Sequence, residues 1–183
     1  AYLGKNLFRS VGGLLRDITE RTGHATDRYK VLTKGEKDPY EVYEYILNRI
    51  EKYNTDARFF FPTGDISKYD KNPSWKNELY RILIRKISGK YETGLHPSYY
   101  SAEKYDLIVT ELQRLKKITG KKITSGRFHF LRLFVPDSYH FLIRAGITED
   151  YTMGYADEPG FRAGLARPFF FYDFKEEKQT NLR

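Results

Sequence analysis

Three short stretches carry residues able to do chemistry: Gly94-Leu95-His96-Pro97-Ser98-Tyr99, then Ser125-Gly126-Arg127-Phe128-His129-Phe130-Leu131-Arg132, then Asp150-Tyr151-Thr152-Met153-Gly154-Tyr155. A neutral imidazole at His96 can hold a divalent metal, and a glycine two residues earlier lets the backbone approach closely; the equal alternative is a hydrogen bond to a loop carbonyl. Arg127 can orient a carboxylate or stabilise an oxyanion during attack on a carbonyl, or else bridge to Glu149 or Asp150. His129 lies two residues on, so in extended chain it points the same way as Arg127. Asp150 can fix a histidine or arginine, act as a general base if burial raises its pKa, or cap the adjoining turn. Gly160-Phe161-Arg162-Ala163-Gly164 either wraps a substrate or forms a tight turn.

These residues need elements to bring them together. Asp38 as cap, Pro39 at the first helical position and Glu41 in a capping box open a helix whose Val42, Ile46, Ile50 and Tyr53 share a face. A helix from Ser74 turns Leu79, Ile82, Leu83 and Ile87 inward and stops at a left-handed Gly89, and another from Ser101 carries Leu107, Ile108, Leu112, Leu115 and Ile118 to Gly120. A fourth opens at Pro136 and ends at Gly146. Between them lie short β-prone runs at 57–61, 91–95, 121–124 and 147–152, and a further one at 167–172. Helices alternating with short apolar strands imply an α/β fold with a mostly parallel sheet and surrounding helices. Such folds collect chemistry at the carboxyl ends of their strands, which would gather Asp65, His96, Arg127, His129 and Asp150 at one mouth.

A chain of 183 residues with 40% hydrophobic content can bury one core, so the expectation is a single domain over 1–183. No apolar run approaches the ~20 residues that cross a bilayer, and Ala1-Tyr2-Leu3-Gly4-Lys5 has no signal-peptide pattern. The absence of cysteine excludes disulfides, thiolate zinc sites and cysteine nucleophiles. A formal charge of +8 invites a nucleic-acid partner, but the cations are interspersed with acids along helices, so none is expected. Aromatic content of 16% suits contact with sugar faces. Neither Gly-x-Ser-x-Gly nor a phosphate-cradling glycine loop occurs. His24 reads as a loop residue and His140 as a helix-surface residue without a partner.

At Phe59-Phe60-Phe61, Gly94 to Tyr99, Arg127 to Leu131, Asp150 to Tyr155 and Gly160 to Gly164, the chain resembles the polysaccharide deacetylase (NodB-like) superfamily, in particular a divergent bacterial branch. The resemblance implies a distorted (β/α) barrel, here incomplete, and metal-dependent hydrolysis of an acetyl group on an acetylated glycan or glycan precursor. A degenerate member that binds sugar without catalysis is the alternative. The implied metal is divalent, zinc above all, with His96 as one ligand. His96 is similar to the first histidine of the family's His-Ser/Thr-x-x-His motif, whose second histidine is Tyr100 here. Arg127 falls on the arginine of Arg-x-Pro-Tyr, which puts His129 at the proline and makes it the substitute ligand or acid. Arg127, His129 and Asp150 are the implied catalytic residues, and Tyr99, Tyr155 and Arg162 the implied sugar contacts. The family's Asp-Asp motif is absent, and Ala1-Tyr2-Leu3-Gly4 resembles the segment just after that motif in relatives, so the expectation is a core lacking its first and last strands.

Overall fold

The computed structural model describes residues 25–34, 36 and 42–183. The chain forms two compact units, Ala1–Asp56 and Ala57–Arg183. In the first, helices α1 (Ala25–Lys34) and α2 (Tyr43–Tyr53) are described. The helix start expected at Asp38-Pro39-Tyr40-Glu41 lies outside the described residues, as does His24. In α2 the buried residue is Leu47, while Val42, Ile46 and Tyr53 of the expected apolar face are exposed.

The second unit runs β1 (Arg58–Phe61), α3 (Glu78–Ser88), β2 (Glu92–Leu95), a 3-10 turn (Tyr99–Ala102), α4 (Tyr105–Thr119), β3 (Ser125–Gly126), a 3-10 turn (His129–Leu131), α5 (Asp137–Arg144) and β4 (Glu149–Asp150). Four strands pair in the order β1-β2-β3-β4, all parallel. Each crossover contains a helix, the connection that parallel neighbours need. The antiparallel pair β5 (Tyr172–Asp173) and β6 (Lys178–Gln179) comes next; of the run expected as one more strand at 167–172 only Tyr172 is in a strand, and that strand belongs to this separate hairpin. Backbone bonds Arg183 N to Thr148 O (2.9 Å) and Asp150 N to Arg183 O (2.7 Å) lay the last residue along the outer edge of β4.

Register explains the glycines and the core. Phe61, Leu95, Gly126 and Asp150 are level across the sheet and face the helices: Phe61 meets the Tyr80 ring of α3 at 6.3 Å, and a Cβ on Gly126 would touch Leu142 of α5. The core is built from Phe61, Leu95, Ile84, Ile87, Ile108, Leu112, Leu115 and Leu142. On α3 the inward face is Tyr80, Ile84 and Ile87, whereas Leu79 and Ile82 are exposed. Asn77 starts the helix three residues after Ser74, its side chain accepting from Tyr80 N. Gly89 ends it in ordinary right-handed conformation (φ −64°), not the left-handed one expected, while Gly120 (φ 69°) and Gly146 (φ 82°), expected to end their helices, are left-handed.

The opposite face carries Phe60, Gly94, Ser125 and Glu149. Gly94 is obligatory there, because a Cβ would stand 2.5 Å from the Phe60 ring and 2.6 Å from Ser125 Oγ. A flat sheet would separate β1 from β4 by about 14 Å, three strand spacings. Yet the Phe60 ring lies 5.3 Å from that of Tyr151, just past β4, and Arg58 on β1 pairs with both Glu92 and Glu149. The sheet is therefore strongly curved, concave on this face.

Candidate functional site

The parallel ladder continues one residue beyond three strands. His96 N bonds to Phe61 O (3.0 Å), Arg127 N to Leu95 O (3.0 Å) and Tyr151 N to Gly126 O (2.8 Å). His96, Arg127 and Tyr151 thus form a row at the carboxyl rim, on the concave face by strand alternation. Asp150, one residue earlier than Tyr151, belongs to the helix-facing side.

His129 reaches the same place by another route. The chain leaves extended conformation after Phe128 and turns through His129–Leu131, with Phe130 at φ 58° and Leu131 at φ 50°. His129 N donates to Pro97 O (3.0 Å), and the ring is delivered so that His129 Nδ1 lies 2.9 Å from His96 Nε2. The outer nitrogen of His129, Nε2, lies 3.3 Å from Tyr69 O, and the Arg127 backbone beside His96 favours its protonated ring.

Two neutral rings bring two N–H groups, enough for the contact between the rings and the one to Tyr69 O. A third proton is opposed: burial first, then the His129 ring, holds His96 down to about 4. In the tautomers that leave both inner nitrogens unprotonated, two lone pairs face each other across 2.9 Å. Ligating histidines commonly give their second N–H to a carbonyl, and adjacent tetrahedral ligands at about 2.0–2.1 Å from zinc stand about 3.3–3.4 Å apart. The inner nitrogens thus fit two positions of a divalent ion after widening by a few tenths of an ångström. Among the described residues no third His, Cys, Asp or Glu joins them.

Arg127 donates to Tyr151 O (2.7 Å), and its charge opposes protonation of His96 and of Asp150. Glu149, the alternative partner, is taken by Arg58 and Arg183. Asp150 caps its own turn, accepting from Thr152 N (3.1 Å) and Thr152 Oγ1 (2.5 Å), and it also bonds with Tyr139 of α5. Enclosure of this carboxyl is the first cause raising it to about 6, against those bonds and Arg127. Thr152 Oγ1 in turn accepts from Phe128 N (3.1 Å), which joins the end of β4 to the turn carrying His129.

Rings flank the imidazoles. Tyr69 stacks on Tyr99 (4.0 Å, 26°), and Phe130, 62% exposed, stands edge-on to both at 6.3 and 5.8 Å. Arg132 lies 4.3 Å over Tyr99 and donates to its carbonyl. Arg162 donates to Leu131 O (3.0 Å), anchoring the 160–164 loop to the His129 turn. Tyr155 is exposed and packs on Gly160, with no ring contact or hydrogen bond to this group. Asp65 points out to Arg114 of α4. His140 has a partner after all, Asp173 Oδ2 at 2.6 Å. Sequence reasoning missed Tyr69, and it missed Asp70 and Glu111, whose carboxylates accept from the Tyr99 and Ser98 amides beside His96. A polar Glu111 at a core position of the α4 pattern was the available signal.

The sequence matches no family model and no curated protein. Over 74% of its length the chain is similar in structure to a Mycobacterium smegmatis protein provisionally named a polysaccharide deacetylase, at 15% identity and a TM-score of 0.47, and it spans 43% of that protein's chain.

Proposed function

We propose that the second unit is the core of a glycan-directed hydrolase that removes acetyl groups, with the rim of the parallel sheet as its site. The observation that carries the reading is the His96–His129 pair, whose inner nitrogens face each other at 2.9 Å while the outer nitrogen of His129 meets Tyr69 O. Hydrolysis of an acetyl group consumes one water and releases acetate and the free amine or hydroxyl of the sugar. A bound divalent metal, zinc in the first instance, supplies Lewis-acid polarisation of the acetyl carbonyl and a more acidic water. His96 and His129 would hold that ion as neutral rings, and the low proton affinity of His96 would keep it available. Arg127, with one N–H committed to Tyr151 O, offers the others to the carbonyl oxygen as it gains negative charge. Tyr99 and Phe130 supply apolar ring surface for the sugar. Asp150 supports from behind, by fixing Thr152 and Phe128 and by the attraction of its charge to Arg127.

The test pairs metal analysis with acetate release. Protein purified with zinc should retain about one ion per chain and free acetate from acetylated chitooligosaccharides. His129→Ala should lower metal affinity by more than the roughly 10- to 100-fold that loss of an outer partner costs a metal site. Unchanged metal content in that variant would refute the assignment. The incomplete ligand set among the described residues favours a second reading, a sugar-binding domain without catalysis. Glycan binding with no bound metal and no acetate release would select it.

A further inference from the structure

The turn that aims His96 is held from beneath by two buried carboxylates. Asp70, 3% exposed, comes from the loop after β1, and Glu111, 2% exposed, from the middle of α4. Glu111 Oε2 accepts from Ser98 N (2.9 Å) and Oε1 from Ser98 Oγ (2.5 Å). Asp70 Oδ1 accepts from the next amide, Tyr99 N (3.0 Å), and Oδ2 from Ser67 Oγ (2.5 Å).

Every backbone donor from His96 to Tyr99 is thereby accounted for. His96 N is paired with β1, Pro97 has none, and Ser98 N and Tyr99 N end on the two carboxylates. The carbonyls are engaged too: Pro97 O by His129 N, Ser98 O by Ser101 N and Oγ, and Tyr99 O by Arg132. Amide bonds to ionised carboxylates are shorter and roughly twice as strong as neutral ones. Gly64 leaves room for this arrangement, since a Cβ there would stand 2.9 Å from both Glu111 Oε1 and Ser98 Cβ. A carboxylate in the apolar face of α4 is costly without such partners. An apolar residue would serve the core better unless the turn itself requires the acceptor.

We infer that Glu111 and Asp70 are positioning residues, which clamp consecutive amides of the 96–99 turn and so fix the His96 ring against His129 and Tyr99 against Tyr69. The value of that geometry rests on the reading of the rim as a functional site. The clamp itself is tested without glycan or metal, so either idea can fail alone.

In the native protein, amide hydrogen exchange at Ser98 and Tyr99 should be as slow as at Leu112 and Leu115 inside α4, despite their loop position. Exchange as fast as at an exposed loop amide would overturn the inference, and this measurement needs no variant. Glu111→Ala should then speed exchange at both amides at least about tenfold and collapse the distinct ring-nitrogen NMR shifts of His96 and His129 into averaged ones. Glu111→Gln, which keeps one acceptor, should restore them. Leu112→Ala, a cavity in the same helix, should lower stability and leave the ring shifts in place. Ring shifts that survive Glu111→Ala, or that respond equally to Leu112→Ala, would leave these carboxylates as ordinary core residues.

Discussion

Glu111 should set the pH dependence of stability. Burial raises its carboxyl from 4.5 to about 7, outweighing the two bonds from Ser98, with Asp70 adding to the rise and Arg114 opposing it. The folded state therefore binds a proton that the unfolded state releases, and stability falls as pH rises from 4.5 through 7. At about 1.36 kcal/mol per pH unit that interval is worth roughly 3 kcal/mol. Two other groups titrate in an overlapping window. Asp150, raised from 3.8 to about 6, acts in the same direction, with stability lost between those limits. His96, lowered from 6.5 to about 4, acts oppositely, because the unfolded chain then binds the extra proton and stability grows as pH rises from 4 to 6.5. Those two contributions are of similar size and nearly cancel, which leaves Glu111. Urea unfolding at about pH 5, 6, 7 and 8 should show the wild type losing roughly 2 kcal/mol across the range, and Glu111→Gln nearly flat. A variant as steep as the wild type would refute the assignment of the slope to this side chain.

Gly94→Ala should destabilise the protein by about 1–3 kcal/mol, the usual cost of overpacking, because Phe60 and Ser125 leave no room for a methyl group; chemical denaturation checks it. Phe130→Gly should raise stability by about 1 kcal/mol by relieving a left-handed backbone, since the ring at 62% exposure contributes little burial, while weakening glycan affinity in calorimetric titration. His140→Phe should release the β5–β6 hairpin from α5 by removing the bond to Asp173, seen as faster amide exchange at Tyr172 and Asp173 with α4 unchanged.

Much of this arrangement is legible before any coordinates. Helical spacing and short β-prone runs give the alternating order, and the parallel rule for strand ends places His96, Arg127 and Asp150 at one margin of the sheet. What periodicity cannot give is phase. On α3 the apolar residues span more than one face, and packing against the sheet buries Tyr80, Ile84 and Ile87 while Leu79 and Ile82 stay exposed. The two-residue alternation likewise separates Asp150 from Tyr151, and only the register with Gly126 tells which of them looks toward the helices. His129 follows an extended Phe128, as its spacing from Arg127 suggests, but the turn that begins there is not legible: two consecutive left-handed residues, Phe130 and Leu131, redirect the chain after it, and no glycine announces them. The partners of Asp70 and Glu111 cannot be read from sequence because they are backbone amides, which every residue but proline carries; a polar Glu111 in the apolar pattern of α4 is the one hint.

The bend in the sheet has a further effect at the rim. Arg58 lies about 10 Å down β1 from Phe61, at ~3.3 Å per residue, and clasps carboxylates from β2 and β4. A pinched card keeps its shape along its whole length, so a clasp at the foot also governs the aperture at the top. The clearance beside His96 is thus held by a guanidinium fork at the far margin. A lysine there, a single point charge unable to grip two acids as a planar fork does, would let the card relax while every residue at the opening stayed the same.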